Sequence, residues 1–275
     1  LQEAVSLLKA ASIGYTDDAD EDLDLGVANF LLARAALEFG DYATCATACN
    51  EIISSGKYSF IKEANYGGTN TGSDMTGANI EVLPGTNAFC TLGVNPEVIL
   101  GFSTTSSYNA SAYFTQLANP FGAYASGRVF ARIDDRLYNK INDNDFRKDA
   151  FYVGPDIVDY VTGDGKTKYN IPSYTNLKFA ATTGADGKKT SVNTQCFVKF
   201  RFSEVYLMLA EAQLASNQES AAKATLNTLL AARTKAGATT LTVDNYASSA
   251  ISTQEMVRLQ WRIEMWCEGG REYMN

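Results

Sequence analysis

The stretch that decides the fold is Arg201-Phe202-Ser203-Glu204-Val205-Tyr206-Leu207-Met208-Leu209-Ala210-Glu211-Ala212. Phe202, Val205, Leu209 and Ala212 recur at helical spacing, so residues 201–215 are predicted as one helix with an apolar face. Asn217 marks a turn, and residues 221–233 supply a partner helix that closes near Gly237. A last helix has a clear start. Ser252 and Glu255 form a capping box, and Ile251 stands where it can staple to Met256. Met256, Leu259, Ile263 and Trp266 carry its buried face, and Trp261 is also assigned to the core.

The same arrangement occurs earlier. Residues 25–39 are apolar almost all round, as for a helix packed on several sides. Gly40 closes that helix and Asp41 caps the next. Tyr42, Cys45, Cys49, Ile52 and Ile53 then form a stripe that ends at Gly56. Two helices joined through a Gly-Asp turn make a hairpin of the tetratricopeptide kind. Ala33, Ala36, Ala43, Ala46 and Ala48 permit close helix approach. The hairpin over 201–237 echoes that over 25–56, a weak internal repeat.

The expected organisation has three zones. Residues 1–60 are helical, with a first helix near residues 1–11. Residues 61–195 are a loop-rich insertion and the ligand-facing candidate. Residues 196–275 are helical again. The insertion is rich in Gly, Thr, Asn and Ser, and Gly67-Gly68 with Thr69-Asn70-Thr71-Gly72-Ser73 reads as loop. Val98-Ile99-Leu100-Gly101-Phe102 reads as a short strand. The fold class is therefore mainly all-α, with tetratricopeptide-like hairpins, a long irregular insertion and little β structure.

Composition excludes several functions. The net charge of −8 repels phosphate backbones, and no basic stripe overrides it, so nucleic acid is not expected as a partner. The chain has no histidine, which removes Ser-His-Asp and Cys-His catalysis and the usual zinc sets. Cys45, Cys49, Cys90, Cys196 and Cys267 are irregularly spaced and read as small buried hydrophobes, which leaves the redox compartment undefined. No apolar run is long enough to span a membrane. The chain begins within a helix and stops at Asn275 within a motif, so it reads as a piece of a longer protein.

The segment 201–212 resembles the SusD/RagB pattern RYAEVYLMYAEA. Leu226-Asn227, Arg233 and Ala236-Gly237 resemble its following LN..R.RAG element. Arg262-Ile263-Glu264-Met265 with Glu268-Gly269 and Arg271 is similar to its RRIEL..EG.R helix. Upstream, Asn95-Pro96-Glu97, Asp145-Phe146-Arg147-Lys148 and Asn176-Leu177-Lys178-Phe179 resemble further family segments in the right order. Gln260-Trp261 replaces the usual acidic-basic pair, and Met274 stands where Asp is usual. The resemblance covers most of the chain and matches the family's C-terminal portion. It implies glycan capture without catalysis or cofactor, the ligand being starch-like or another polysaccharide. It also implies a SusC-type TonB-dependent transporter as partner, at the cell surface of the outer membrane. Membrane attachment would be only through a lipid anchor outside this chain.

The ligand-binding candidates are Tyr108, Tyr113, Phe114, Asn119, Phe121, Tyr124 and Arg128, with Gln116 among them. Aromatic faces cover the C–H faces of sugars while amides and Arg bond the hydroxyl rim. The alternative is that these rings only anchor a long loop; Tyr66 is a weaker ligand candidate. Glu204 and Glu211 invite a glycosidase reading. Their backbones would lie about 10.5 Å apart along one helix face, however, so they would not flank a sugar. With Arg201, Arg233, Glu264, Glu268 and Arg271 they are expected instead to form a polar network between helices. The acidic run 17–24 lacks the Gly and Glu of a calcium loop, since Leu23 and Asn29 fill those positions counted from Asp18. Asn142-Asp143-Asn144-Asp145 reads as a polar turn open to an incidental ion, and Gly163-Asp164-Gly165-Lys166 as a turn. The rival function classes are a helical scaffold that docks the transporter without touching glycan, and a carboxylate-dependent glycoside hydrolase.

Overall fold

Local capping chemistry sets the helix ends. In the computed structural model, which describes residues 1–10, 23–67, 69–70, 80–81, 87–89, 91–103, 132–161, 168–179 and 196–268, seven α-helices are present among the described residues. They are α1 (Gln2–Ala10), α2 (Leu25–Phe39), α3 (Tyr42–Ser54), α4 (Asp135–Tyr138), α5 (Phe202–Ala215), α6 (Glu219–Ala232) and α7 (Thr253–Glu264). The chain divides into two compact units.

The first unit comprises residues 1–60, 96–101 and 198–275 and holds every helix except α4. Gly40 ends α2 in the left-handed region at φ 76°. The Asp41 carboxylate then accepts from Thr44 N at 3.1 Å to start α3. This Gly-Asp junction makes the α2–α3 hairpin. Asn217 turns between α5 and α6 at φ 58°, a conformation its short polar side chain tolerates. The capping box of α7 is formed as expected: Glu255 N donates to Ser252 Oγ at 3.2 Å, and Ser252 N to Glu255 Oε2 at 2.9 Å.

Helix α5 is the hub. It packs against α2, α3, α6 and α7, and this corrects the expectation of one apolar face. Phe202 to Val205 are buried without a break, as are Leu207, Met208, Leu209, Ala210 and Ala212. Enclosed by four helices, α5 buries much more than one stripe and leaves Tyr206, Glu211, Gln213 and Leu214 half-buried. Cys45, Ala48, Cys49 and Ile52 of α3 meet it with small or slender side chains. Asn227 of α6 accepts from Val243 N at 2.8 Å, which pins the loop carrying buried Leu241, Val243 and Tyr246. On α7, Gln260 and Trp261 are buried; the helix ends at Glu264, so Trp266 lies beyond it and is half-buried.

Two strands corresponding to one expected and one unexpected segment complete this region. β3 (Val98–Ser103) was foreseen in the sequence; β8 (Cys196–Arg201), its partner, runs directly into α5 where only helix was read. The remaining strands belong to the second unit, residues 61–95 and 102–197. β1 (Thr69–Asn70), read as loop, pairs antiparallel with β2 (Ile80–Glu81). β4 (Phe151–Tyr152) pairs with β7 (Thr175–Asn176), and β5 (Ile157–Val161) with β6 (Lys168–Ile171). Gly163-Asp164-Gly165-Lys166, between β5 and β6, lies outside the described residues. Among the described residues each sheet has two strands, and the structure is mainly helical with little β content.

Gly67 shows why this unit needs glycine at one close approach. Its φ is 83°, and a Cβ there would sit 2.9 Å from the Lys178 Cα. Cys45, Cys49 and Cys196 are buried as expected, and they are unbridged. Cys267 is exposed at φ 61° and departs from that expectation, because it lies in the turn after α7; Cys90 is outside the described residues.

Asp24 is the cap that charge patterning conceals. The acidic run reads as solvated, and its residues 17–22 lie outside the described residues. Asp24 itself is 1% exposed and accepts from Val27 N at 2.9 Å. Asp24→Ala should therefore cost about 1–2 kcal/mol, read as a lower urea midpoint, whereas loss of an exposed solvated acid would leave it unchanged.

Candidate functional site

Motif residues converge first on a charged interior in the helical unit. Arg201 closes β8. Its Nη1 donates to Glu97 at 2.9 Å and Glu264 at 2.6 Å, and also to Ser203 Oγ. Its Nε and Nη2 fork onto Glu268 at 2.5 and 2.7 Å. Arg233, at the end of α6, reaches Glu97 at 2.6 Å and Glu264 at 2.9 and 3.0 Å. Glu97, Glu264 and Arg233 are fully buried and Arg201 is 1% exposed. Burial pushes the Glu97 carboxyl up, but the charges of Arg233 and Arg201 outweigh it and hold the pKa below its ordinary value. Two guanidinium and three carboxylate groups thus satisfy one another by charge-assisted bonds. Such an assembly holds helices together.

The network differs in membership from the sequence expectation. Arg201, Arg233, Glu264 and Glu268 join it; Glu97, from the Asn-Pro-Glu segment, is a member the helix motifs alone do not suggest. Glu204 leaves it and pairs with Arg34 of α2. The Arg34 guanidinium lies over the stacked Phe30 and Phe200 rings, 4.9 and 5.0 Å from their centroids. One Glu204 oxygen, Oε2, is buried without a hydrogen-bond partner. Burial therefore pushes its pKa up despite Arg34. Glu204 is 2% exposed, and Glu211 is half-buried on the same helix. Arg271 lies outside the described residues.

The second unit has its own polar interior. Arg147 forks onto Asp145 at 2.5–3.1 Å with both side chains buried. Lys178 is 1% exposed, its ammonium 4.8 Å from the centroid of Phe89, 5.5 Å from Phe179 and 5.8 Å from Tyr66. Tyr66, a weaker ligand candidate in the sequence, is itself interior at 3% exposure and packs on Phe89 and Phe146. The side-chain oxygens of the 142–145 turn are engaged within the chain, although only Asp145 is buried. Asn142 accepts from Asn144 N, Asp143 from Lys148 Nζ and Asp145 from Arg147, which leaves little for an ion. Among the described residues no group of three or more His, Cys, Asp or Glu is placed to hold a metal.

The predicted ligand contacts Tyr108, Tyr113, Phe114, Gln116, Asn119, Phe121, Tyr124 and Arg128 fall within 104–131, outside the described residues. Their segment departs from β3, where Phe102 is 45% exposed, and returns at Arg132, which bridges to Thr175. What sequence reasoning passed over is a half-exposed pair in the same unit, Tyr138 and Tyr174, with ring centroids 5.5 Å apart. Tyr174 is flanked by Ser173 and Thr175 in a short polar segment, and no periodicity singles it out.

Removing one network partner leaves the other buried and unpaired. Arg233→Met should lower stability by about 3–5 kcal/mol in urea melts, and Arg233→Lys should not restore it because an ammonium cannot fork between two carboxylates. The acid limb tests Glu97. With a depressed folded pKa, its contribution is full above its ordinary value of 4.5 and is lost as pH falls through the lower folded value. Glu204, with a raised pKa, acts in the opposite sense and weakens the fold as pH climbs above 4.5. Glu97→Gln should therefore flatten the stability loss below pH 4.5, measured as urea midpoint against pH.

Comparison with known proteins agrees with this arrangement. A solved SusD-like carbohydrate binding protein from Bacteroides vulgatus is 23% identical, with a TM-score of 0.65, over 98% of this chain and 49% of that one. A SusD superfamily protein from Bacteroides thetaiotaomicron is 19% identical, with a TM-score of 0.61, over 99% of this chain and 54% of that one. A SusD superfamily protein from Bacteroides fragilis is 14% identical, with a TM-score of 0.62, over 94% of this chain and 55% of that one. The chain thus spans about half the length of these structures. No curated protein matches it. The SusD family model matches residues 58–273, which include both buried charge clusters, and the chain belongs to the SusD family.

Proposed function

We propose that this chain is part of a cell-surface protein that binds an oligosaccharide or polysaccharide and passes it to a SusC-type TonB-dependent transporter, without catalysis and without a cofactor. The observation that carries the reading is the family match over 58–273 combined with the aromatic density of 108–124 inside that span. The charged motif residues are interior, so recognition falls to the loop-rich unit. There Tyr108, Tyr113, Phe114, Phe121 and Tyr124 supply stacking faces, and Asn119 and Arg128 supply rim hydrogen bonds.

The helical unit has a different task in this reading: it presents the insertion and docks on the transporter. Among the described residues no helix is long and apolar enough to cross a membrane. Attachment to the outer membrane would use a lipid anchor outside this chain. The likeness to the SusD-like carbohydrate binding protein of Bacteroides vulgatus supports the ligand class. Glu204 lies inside the helical unit on Arg34, which supports capture over hydrolysis.

Affinity gels containing soluble plant, host or microbial polysaccharides test the reading. One class should retard the protein, and Tyr113→Ala or Tyr124→Ala should each weaken that retardation about three- to tenfold, the worth of one stacking ring. No reducing sugar should be released. Retardation by none of the polysaccharides, with the protein folded, would contradict glycan capture.

A further inference from the structure

Tyr174 holds an unusual conformation. Its φ is 66°, in the left-handed region where a bulky aromatic residue is strained. Two backbone hydrogen bonds hold it there. Tyr174 N donates to Tyr152 O at 2.6 Å, and its carbonyl accepts from Ile133 N at 3.1 Å. A glycine or asparagine would occupy this turn with less strain, yet the chain places a large ring there and leaves it half-exposed.

The ring has a built environment. Tyr138, at the end of α4, meets it at 73° and 5.5 Å and is also half-exposed, so the two rings form a step. Phe151 backs Tyr138 edge-to-face at 6.3 Å. The Lys148 ammonium lies 5.0 Å from the Tyr138 centroid and is bonded to Asp143 at 2.6 Å. Asp143 and Asp149 are exposed beside this step. Burial first, then these two carboxylates, raise the Tyr138 phenol pKa, so the phenol stays protonated and able to donate.

We propose that Tyr138 and Tyr174 form a second glycan-binding platform that takes a neutral pyranose residue of the captured chain. The pyranose C–H face lies on a half-exposed ring, while the Tyr138 phenol donates to a sugar oxygen and Asp143 and Asp149 accept from hydroxyls, the Lys148 ammonium being held by Ile141 O at 3.0 Å and by Asp143. Two carboxylates against one ammonium disfavour uronic or other acidic sugars. This inference rests on the glycan-capture reading and adds to it a site on described residues and a charge preference.

The test uses the whole chain in affinity gels of starch, xyloglucan and galactomannan, with polygalacturonate as the anionic counterpart. Tyr174→Gly relieves the backbone while removing the ring, and Tyr174→Asn does the same should the glycine variant not fold. The expected result is retardation of the parent protein by a neutral polysaccharide and not by polygalacturonate. Both variants should keep the parent melting temperature or exceed it, and bind about three- to tenfold more weakly. Parent-like binding by Tyr174→Gly, with Tyr113→Ala impaired, overturns the platform and leaves glycan capture standing. Retardation by polygalacturonate alone overturns the neutral-sugar assignment. No retardation of the parent protein in any gel overturns capture and platform together.

Discussion

The helical unit depends on burying five charges in one place. Each ion taken from water costs several kcal/mol, and only close, fully bonded geometry offsets that. Arg201, Arg233, Glu97, Glu264 and Glu268 meet the condition because five segments deliver them at hydrogen-bond distance: β8, the end of α6, β3's approach, α7 and the turn after it. Displacing any one segment strands a charge. The network thus ties chain segments far apart in sequence into one arrangement, more narrowly than apolar packing alone would. Around it, small residues of α3 and the largely buried α5 provide the dispersion contacts that polar groups do not.

This accounts for the family motifs in physical terms. Arg201, Arg233, Glu264 and Glu268 of the signature segments are network members, and the Glu of Asn-Pro-Glu is, with Glu264, an acid both arginines share. Asn95 donates to Ala88 O at 2.8 Å, and Asn227 holds the loop after α6. Asp145 and Arg147 form a buried pair, and Lys178 lies among three aromatic rings. The residues by which the chain is recognised therefore specify a scaffold. Under the proposed glycan capture, ligand choice falls to positions free to differ without breaking a buried charge.

Sequence legibility follows the same division. Helix ends were readable because their chemistry is local: Gly40 with Asp41, and Ser252 with Glu255, act within three residues of one another. The partner of Glu204 was not, since Arg34 lies 170 positions away. Nor was the extent of α5's burial, which comes from four neighbouring helices and reaches beyond the stripe its spacing shows. β8 was missed because it passes into α5 without a turn residue between them. In the loop-rich unit the aromatic stretch 108–124 stood out by composition alone, whereas Tyr138 and Tyr174 are 36 positions apart and meet only in the fold.

The central claim is a separation of roles, with scaffold in the charged helical unit and recognition in the loop-rich one. Hydrogen–deuterium exchange with and without a saturating polysaccharide that retards the protein measures it most directly. The account predicts added protection within residues 104–131 and around Tyr138 and Tyr174, with α2, α3, α5, α6 and α7 unchanged. Protection confined to those helices, with the loop-rich unit unaffected, would contradict it.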